Sequence, residues 1–299
     1  MKKLSYLLCA LFLMIPVMVN AVVYKSYKIG DEVDLNGYKY HVVVDSDENS
    51  SKLVLLGDNI IGVSNVDELW DNCGMLREMS PKYEVTENSI RLSNFEPACF
   101  MEKAKLCTVK DENCVALLVP FENNMEVETV TYNETSQSNI GYLMKNLVLP
   151  ALKTETKENL TTARLLTGDE LITIYKSDNT NLATTYENSF KNYACAYQSS
   201  SKSVYGETYV PEEYQLSNKM DWLFISNDWW ADTTKYTGKC WDSAVHTEEF
   251  YLNNTYVRNT YLVRPVIELE KTDVIYTIIT KTDGNGTVTA SASTARGEI

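Results

Sequence analysis

The sequence predicts a mixed α+β fold, and three observations support that class. Between residues 24 and 56, short runs of β-branched and aromatic residues alternate with turn residues, which is typical of a small antiparallel sheet. Over residues 139–152, apolar residues recur at spacings of three and four, which predicts an amphipathic helix. A helix start at Thr167 and a strand-like run over residues 261–269 add one element of each kind in the second half of the chain.

Length and composition are those of a globular protein. The chain has 299 residues, of which 44% are hydrophobic and 23% charged, so it is long enough to bury a sizeable core. Acidic residues outnumber basic ones by 41 to 27, for a net charge of −14. Because contacts to phosphate need clustered lysine and arginine, we expect no nucleic-acid partner.

The first 21 residues are typical of a secretory signal peptide. Two lysines precede an apolar run over residues 4–19, and cleavage is predicted after Ala21. The run is about 16 residues long, short of the roughly 20 that span a bilayer, so we expect no membrane span in the mature region. Removing the two lysines leaves 25 basic against 41 acidic residues, a net charge of −16. We therefore predict a protein that is extracellular or at the cell surface.

Six cysteines remain after cleavage, and an even number in an exported chain favours disulfide bonds. We predict a disulfide between Cys195 and Cys240, near the presumed core of the C-terminal half. No C-x-x-C motif occurs, so zinc ribbons and thioredoxin-like redox sites are not expected. A cysteine nucleophile paired with His246 is the alternative, but no local activating context supports it. The pairing of four cysteines stays open: Cys73, Cys99, Cys107 and Cys114.

No metal or cofactor site is predicted. Two histidines in the whole chain are too few for a three-histidine site or an H-E-x-x-H helix. Acidic and amide residues alternate within residues 45–51, as at the start of a calcium loop. Ser50 and Leu56 stand where an EF-hand needs glycine and glutamate, so this segment is predicted to be a turn. The acidic charge is compatible with calcium, but no motif supports calcium binding.

The first half of the chain contains a hairpin and a segment of less regular character. Asn36-Gly37 is a strong hairpin signal, and strands are predicted on its C-terminal side over residues 38–44 and 52–56. Residues 57–138 carry four cysteines, many acids and short apolar stretches. We interpret them as a loop-rich insertion with short strands, pinned by disulfides.

Two helices are predicted in the middle of the chain. The helix over residues 139–152 contains Pro150, where we expect a kink or a restart because proline removes a backbone donor. Its apolar face is assigned to the core. After a short strand over residues 163–166, Thr167 and Glu170 have the spacing of a capping box, with a leucine on each side as hydrophobic staple. Capping accounts for the acidic residues at this helix start without acid–base catalysis.

The last part of the predicted domain alternates between loops and apolar runs. Residues 176–220 are polar and loop-like, and residues 222–226 are predicted to form a buried strand. The strand over residues 261–269 contains Pro265, which implies an edge position or a bulge.

Four motifs in this order resemble a known family over residues 24–271. Together they resemble an uncharacterised family of exported bacterial domains related to the C-type-lectin-like fold of formylglycine-generating (sulfatase-modifying) proteins. The motifs are Tyr27-x-Ile29-Gly30-Asp31-x-Val33-x-Leu35-Asn36-Gly37, Ala163-Arg164-Leu165-Leu166-Thr167-x-x-Glu170-Leu171, Trp222-Leu223-x-x-Ser226 and Val263-Arg264-Pro265-Val266-Ile267-x-Leu269.

The resemblance implies a particular arrangement of the chain. It implies a C-type-lectin-like mixed fold with two main helices and small antiparallel sheets. The first strand, near Ile29, would lie beside the last, near Val266, and a loop-rich surface would lie between Ser226 and Arg258. The chain lacks the Glu-Pro-Asn and Trp-Asn-Asp triplets with which C-type lectins hold calcium, and its late cysteines do not match the reactive pair of formylglycine-generating enzymes. Neither of those two activities is therefore expected.

Residues 272–299 form a different module. They carry β-rich runs around a Gly-Asn-Gly turn and resemble the opening of an internalin-type B repeat. Because the sequence stops at Ile299, where such a repeat would enter another strand, we expect further repeats or an anchor downstream. The predicted organisation is a signal peptide over residues 1–21, a C-type-lectin-like domain over residues 22–271 and an incomplete β repeat module.

The predicted function is that of a non-catalytic binding or adhesion domain on a bacterial surface, with a glycan or an extracellular protein as partner. Tryptophans can stack on sugar rings or fill a partner's pocket, and aspartates accept hydrogen bonds from hydroxyls. Because neighbours in a strand point to opposite faces, we expect at least one of the adjacent Trp229 and Trp230 at the surface. The candidate ligand-binding residues are Asp228, Trp229, Trp230, Asp232, Trp241 and Asp242.

Two alternatives remain open. A structural spacer in a surface stalk explains the repeat module and requires no role for the tryptophans. An enzyme of the sulfatase-modifying type, or a hydrolase with paired carboxylates, is less favoured because nucleophile-elbow, P-loop and metal-helix motifs are absent.

Overall fold

A computed structural model describes most of the chain, which divides into two compact units. Unit 1 contains Met1–Tyr27, Ser46–Leu53 and Glu270–Ile299, and unit 2 contains Lys28–Asp45 and Val54–Leu269. The structure describes residues 20–73, 76–78, 89–91, 97–110, 113–123, 130–181, 183–184, 217–223, 229–232, 241–246, 251–256, 260–271, 274–282 and 288–293.

The secondary structure confirms a mixed α+β fold. The helices are α1 (Val66–Cys73), α2 (Pro97–Lys103), α3 (Ile140–Leu143), a π-helical turn (Met144–Val148), α4 (Leu149–Thr156), α5 (Gly168–Asp178) and a 3₁₀ helix (Asn218–Leu223). The strands are β1 (Asn20–Tyr24), β2 (Glu32–Leu35), β3 (Tyr38–Val42), β4 (Lys52–Gly57), β5 (Ile61–Val63), β6 (Leu76–Glu78), β7 (Ser89–Arg91), β8 (Leu106–Thr108), β9 (Val115–Pro120), β10 (Leu160–Arg164), β11 (Leu166–Thr167), β12 (Trp229–Asp232), β13 (Trp241–His246), β14 (Tyr251–Tyr256), β15 (Thr260–Leu262), β16 (Val266–Glu270), β17 (Val274–Thr282) and β18 (Val288–Ser293).

The predicted hairpin is confirmed at the edge of a five-stranded sheet with the order β10-β16-β4-β3-β2. Leu35 is paired with Tyr38, and the two turn residues have positive φ, 55° at Asn36 and 85° at Gly37. Both angles are those of a type I′ turn, which suits the twist of the flanking strands. In this sheet Val266 is paired with Arg164, and two strands separate β16 from β2. The implied pairing of the first strand with the last is therefore wrong.

A ten-stranded sheet forms the centre of unit 2, with a main path β14-β13-β12-β15-β9-β5-β8. The expectation of small antiparallel sheets is wrong here, because the sheet is large and β12 runs parallel to both β11 and β15. The described parts of residues 57–138 form short strands and disulfides as predicted, and they also supply β5, β8 and β9 to the sheet. Val119 on β9 is 1% exposed, so this segment builds part of the core.

Both disulfides in the described residues lie in that segment. Cys73 at the end of α1 is bonded to Cys99 on α2, and Cys107 on β8 is bonded to Cys114 just before β9. They pair the four cysteines whose connectivity the sequence left open. The predicted Cys195–Cys240 bond lies outside the described residues.

The first predicted helix is longer than expected and avoids the break at Pro150. The side chain of Asn139 caps its start by accepting a hydrogen bond from Gly141. A π-helical turn precedes Pro150, and the amide of Leu149 donates to the carbonyl of Met144. This wider turn makes room for the proline ring, which in an α-helix presses against the carbonyl four residues earlier. The apolar face is core, as predicted, with Leu152 1% exposed.

The predicted capping box of α5 is confirmed. The Glu170 amide donates to Thr167 Oγ1 at 3.2 Å, and the Thr167 amide donates to Glu170 Oε2 at 2.9 Å. Leu166 and Leu171 are fully buried on either side of the cap, as the staple predicts.

Two predicted strands near the C-terminal end of unit 2 differ from the structure, although residues 224–226 of the first lie outside the described residues. Trp222 and Leu223 end a 3₁₀ helix, and their carbonyls accept hydrogen bonds from the buried Arg264 side chain rather than from a neighbouring strand. The run over residues 261–269 is divided into β15 and β16, which belong to different sheets. Pro265 lies in the connection between β15 and β16. No backbone N–H is needed there for a sheet hydrogen bond, so the proline indicates neither an edge strand nor a bulge.

Unit 1 is built on a three-stranded antiparallel sheet with the order β1-β17-β18. The residues predicted as a repeat module therefore share a sheet with the N-terminal strand. The buried Lys271 ammonium donates to the carbonyls of Lys25 and Asp47. The predicted turn at residues 45–51 is confirmed, because the Asp47 carboxylate accepts hydrogen bonds from the amides of Asn49 and Ser50. In the described part of the chain, no helix is long and apolar enough to cross a membrane.

Candidate binding site at the end of strand β12

Trp229 and Trp230, the two adjacent candidate tryptophans, are both fully buried. Trp229 packs in the main core, and the guanidinium of Arg264 lies 5.3 Å from its ring centre. On the other face, Trp230 Nε1 donates to the carbonyl of Val119 at 2.7 Å. The expectation that one of the pair lies at the surface is wrong, because β12 is an inner strand of a sheet that is covered on both faces.

Asp232, the last residue of β12, is partly exposed. It is paired with Thr167 on β11. On its other side β12 is paired with β13 as far as Ala231 and Ser243, and Asp232 and Asp242 are the residues that follow this last pair on the two strands. Asp228 lies outside the described residues.

Trp241 and Asp242 are located by backbone register alone. Both begin β13, where Asp242 is paired with Thr255 and Trp241 with Tyr256 on β14. Near the end of β12 the register therefore records two pairs of oxygen-bearing residue types, Thr167 with Asp232 and Asp242 with Thr255.

Arg164 is held by carboxylates close to the same strand end. Its guanidinium makes two hydrogen bonds to Glu170, at 2.8 and 2.5 Å, and its Nε donates to Glu268 at 3.1 Å. Burial lowers the pKa of Arg164, but hydrogen bonds and charges from Glu170 and Glu268 outweigh burial and leave that pKa above its ordinary value. The pair with Glu170 also ties β10 to the capping box, which supports the structural interpretation of that glutamate.

Tyr132 adds a polar group near this cluster. Its hydroxyl is buried and has no hydrogen-bond partner. Burial raises the pKa of Tyr132, the charges of Glu134 and Asp232 raise it further, and Arg164 opposes them. The phenol therefore stays protonated, and the carboxylate of the partly exposed Asp232 is an acceptor that can bind hydroxyl or ammonium groups.

A second polar cluster, centred on Arg264, was not found by the sequence analysis. The Arg264 side chain is fully buried and donates to the carbonyls of Gly57, Leu223 and Trp222 at 2.5, 2.7 and 2.6 Å. One of its nitrogens lies 3.5 Å from Asp58 Oδ1, and the same oxygen is 2.7 Å from His41 Nδ1. Burial lowers the pKa of Arg264 to about 10, and Asp58 opposes that change.

The Arg264 cluster is best explained as a structural anchor. His41 is 9% exposed and stacks on Trp222, with ring centres 4.9 Å apart. Arg264 thereby joins the end of β4 to the 3₁₀ helix and to the crossing between β15 and β16. An arginine inside an apolar run was the sequence signal for this cluster, since a buried charge needs several partners.

Metal binding has no support among the residues that the structure describes, where no three His, Cys, Asp or Glu side chains are grouped to hold an ion. The comparisons with known proteins add no assignment. No protein family, no curated protein and no solved structure matches this chain.

Proposed function

We propose that this protein is an exported, disulfide-stabilised, non-catalytic binding module. It would recognise a glycan or an extracellular protein through the acidic surface at the ends of β12 and β13. The observation that supports this proposal is the pairing of β12 with β13 up to Ala231 and Ser243, after which Asp232 and Asp242 are the next residues on the two strands. The partly exposed Asp232 supplies an acceptor for hydroxyl groups.

Export is supported by two independent features. The N-terminal segment has the pattern of a signal peptide, and four cysteines are bonded in the described residues. Disulfides persist in oxidising compartments and are rare in the cytosol. Together these features favour a location outside the cytoplasm, at the cell surface or beyond it.

The proposed surface differs from the one that the sequence predicts. Trp229 and Trp230 are not part of the proposed surface, because both are buried. Asp228, Asp232, Trp241 and Asp242 remain its proposed members. The finer fold assignment, C-type-lectin-like followed by a B-repeat-like module, stays part of this proposal.

The test is a binding screen with the chain after removal of its signal peptide. An array of glycans and extracellular proteins would be probed with this protein, once in the presence of calcium and once in the presence of a chelator. The affinity for each ligand that binds would then be measured for the wild type and for the variants Asp232→Asn and Asp242→Asn. Losing a hydrogen bond to a charged group costs about 1.5–3 kcal/mol, so we expect affinity to fall at least about tenfold in each variant. Asp221→Asn, at an exposed aspartate on the 3₁₀ helix, is the matched control and should bind normally.

The screen also separates the alternatives. Binding that the aspartate variants retain would move the site elsewhere. The absence of any binding by well-folded protein would favour the spacer function. Binding that is lost only in the presence of the chelator would indicate that calcium takes part in it.

A further inference from the structure

Strand β1 in unit 1 contains the point at which the signal peptide is predicted to be cleaved. The strand spans Asn20–Tyr24, and in the full-length chain all five of its residues are paired antiparallel with β17. A cut after Ala21 would remove the first two residues of β1 with the leader and leave the other three in place. Processing would therefore shorten a strand of the unit 1 sheet.

The two residues that leave cover part of one edge of β17. They are paired with Ile279 and Ile278, whereas β18 lies along the opposite edge. In the described part of the chain, no strand is paired with residues 280–282 on the β1 side of β17. After cleavage this edge is open over residues 278–282, and its backbone N–H and C=O groups are free to pair with another strand.

The remaining part of β1 is held without the residues that leave. The Tyr24 amide donates to the carbonyl of Glu48 at 2.9 Å, and the Lys271 ammonium donates to the carbonyl of Lys25 at 3.0 Å. The same ammonium lies 5.5 Å from the centre of the Tyr24 ring. The shortened strand therefore stays in the sheet and limits the open edge at its N-terminal end.

The open edge has the composition of a strand and fits a second copy of itself. Its sequence is Ile-Ile-Thr-Lys-Thr, in which four of five residues are β-branched and favour extended backbone. Two identical segments that pair antiparallel are related by a two-fold axis, so each supplies the same residues. With the axis at Thr280, Ile278 lies opposite Thr282 of the second copy, and the two Lys281 residues do not lie opposite each other.

The length of the open edge also matches that of the strand it would accept. Strand β17 ends at Thr282, and the first residue of the shortened β1, Val22, is paired with Thr277. A second β17 that pairs over residues 278–282 therefore ends just before the position that β1 occupies. While Asn20 and Ala21 are present, they fill two of these five places.

We propose that removal of the signal peptide opens the β17 edge over residues 278–282, and that this edge pairs with the same edge of a second copy. The inference rests on the export and processing proposed above, and it does not depend on the surface at the end of β12. Backbone hydrogen bonds supply the attraction, as in other cases of strand addition to a sheet edge. Five residues from each copy bury much less than the roughly 1,200 Å² of a stable interface, so the association is weak and requires a high local concentration.

The first experiment compares a chain that begins at Val22 with one that begins at Asn20, by analytical ultracentrifugation over a wide range of concentration. The chain from Val22 should show a mass that rises toward that of a dimer, whereas the chain from Asn20 should stay monomeric. Equal association of the two chains, or a monomeric Val22 chain at every concentration, would overturn the proposal. Mass spectrometry of the exported protein identifies its N-terminus, and a cut that leaves Asn20 in place would overturn the processing step separately.

The second experiment tests the register with single cysteines in the chain that begins at Val22. Thr280→Cys brings two thiols opposite each other on strands whose paired Cα atoms are about 4.5–5.5 Å apart, which is within the range of disulfides. Oxidised glutathione should therefore convert this variant to a covalent dimer, visible on a non-reducing gel. Circular dichroism establishes that each variant is folded.

Lys281→Cys is the matched control, because residue 281 lies opposite Ile279 of the second copy. Alone it should form much less covalent dimer than Thr280→Cys, whereas a mixture of Lys281→Cys with Ile279→Cys should cross-link well. Equal cross-linking of Thr280→Cys and Lys281→Cys would contradict the two-fold register. No cross-linking of any variant would contradict the pairing itself.

Discussion

Gly62 is the position at which a single methyl group should be most costly. It lies on β5 directly opposite Cys107 of β8 on one side and Ala116 of β9 on the other. The Cys107–Cys114 disulfide connects these two flanking strands and therefore passes close to Gly62. A Cβ at this position would lie 2.8 Å from Cys114 Sγ, 2.4 Å from the carbonyl oxygen of Val115 and 2.8 Å from a methyl of Val109.

These distances set the expected free-energy change of Gly62→Ala. The shortest contact is to backbone, which cannot rotate away, so the strand must shift, and overpacking of this kind costs about 1–3 kcal/mol. The two cysteines are seven residues apart, and closing so short a loop is worth about 2.5 kcal/mol in the chain-entropy model. We therefore expect Gly62→Ala to lose about 1–3 kcal/mol, and up to about 5 kcal/mol if the disulfide fails to form.

Urea unfolding followed by circular dichroism measures this loss, and a thiol assay measures disulfide formation. Gly57→Ala is the control, because its added Cβ would meet no atom closer than 3.3 Å. In a Cys107→Ala/Cys114→Ala background the cost should fall but not vanish, since the contact with Val115 remains. A free energy of unfolding within about 0.5 kcal/mol of wild type, the range of ordinary surface substitutions, would refute this reasoning.

Three further predictions concern the other elements of the fold. Arg264→Met should cost about 3–5 kcal/mol because it leaves three carbonyls without their donor and removes the cation beside Asp58, and a normal melting temperature would contradict the anchoring role. Thr167→Ala removes half of the capping box and should cost about 1 kcal/mol by urea unfolding, whereas Thr161→Ala on the neighbouring strand β10 should cost less. The Lys28 ammonium and the Ile29 amide donate to Asp45 and hold its pKa below the ordinary value, so its contribution is present above about pH 4 and is lost as the pH falls through the folded-state pKa. Wild type and Asp45→Asn should accordingly differ in urea midpoint at pH 6 and converge in acid, and equal midpoints at both pH values would argue against that interaction.

Local signals in the sequence were the ones that predicted structure well. The Asn36-Gly37 turn and the Thr167–Glu170 capping box each involve residues within a few positions of one another, and both are confirmed. Pro150 also acts locally, although the chain accommodates it with a π-helical turn rather than a break. In each case the conformation follows from backbone constraints and short-range hydrogen bonds.

The predictions that failed depended on contacts between distant residues. Trp222 and Leu223 have the apolar composition of a strand. Their carbonyls instead accept hydrogen bonds from the side chain of Arg264, more than forty residues later in the chain. Trp229 is buried in a core that includes residues of α5, and Trp230 is buried against Phe121 and Tyr261 and donates to Val119 of β9. Alternation within one strand cannot indicate how many of its faces are covered.

For this protein the sequence alone determined the class of fold, the net negative charge and the local turns and caps, because these follow from composition and from residues near one another in the chain. Only the tertiary structure decided how Cys73, Cys99, Cys107 and Cys114 pair, that Arg264 is buried and that both Trp229 and Trp230 are buried. Each of these depends on the packing and register of segments far apart in sequence, and no short pattern encodes such long-range geometry.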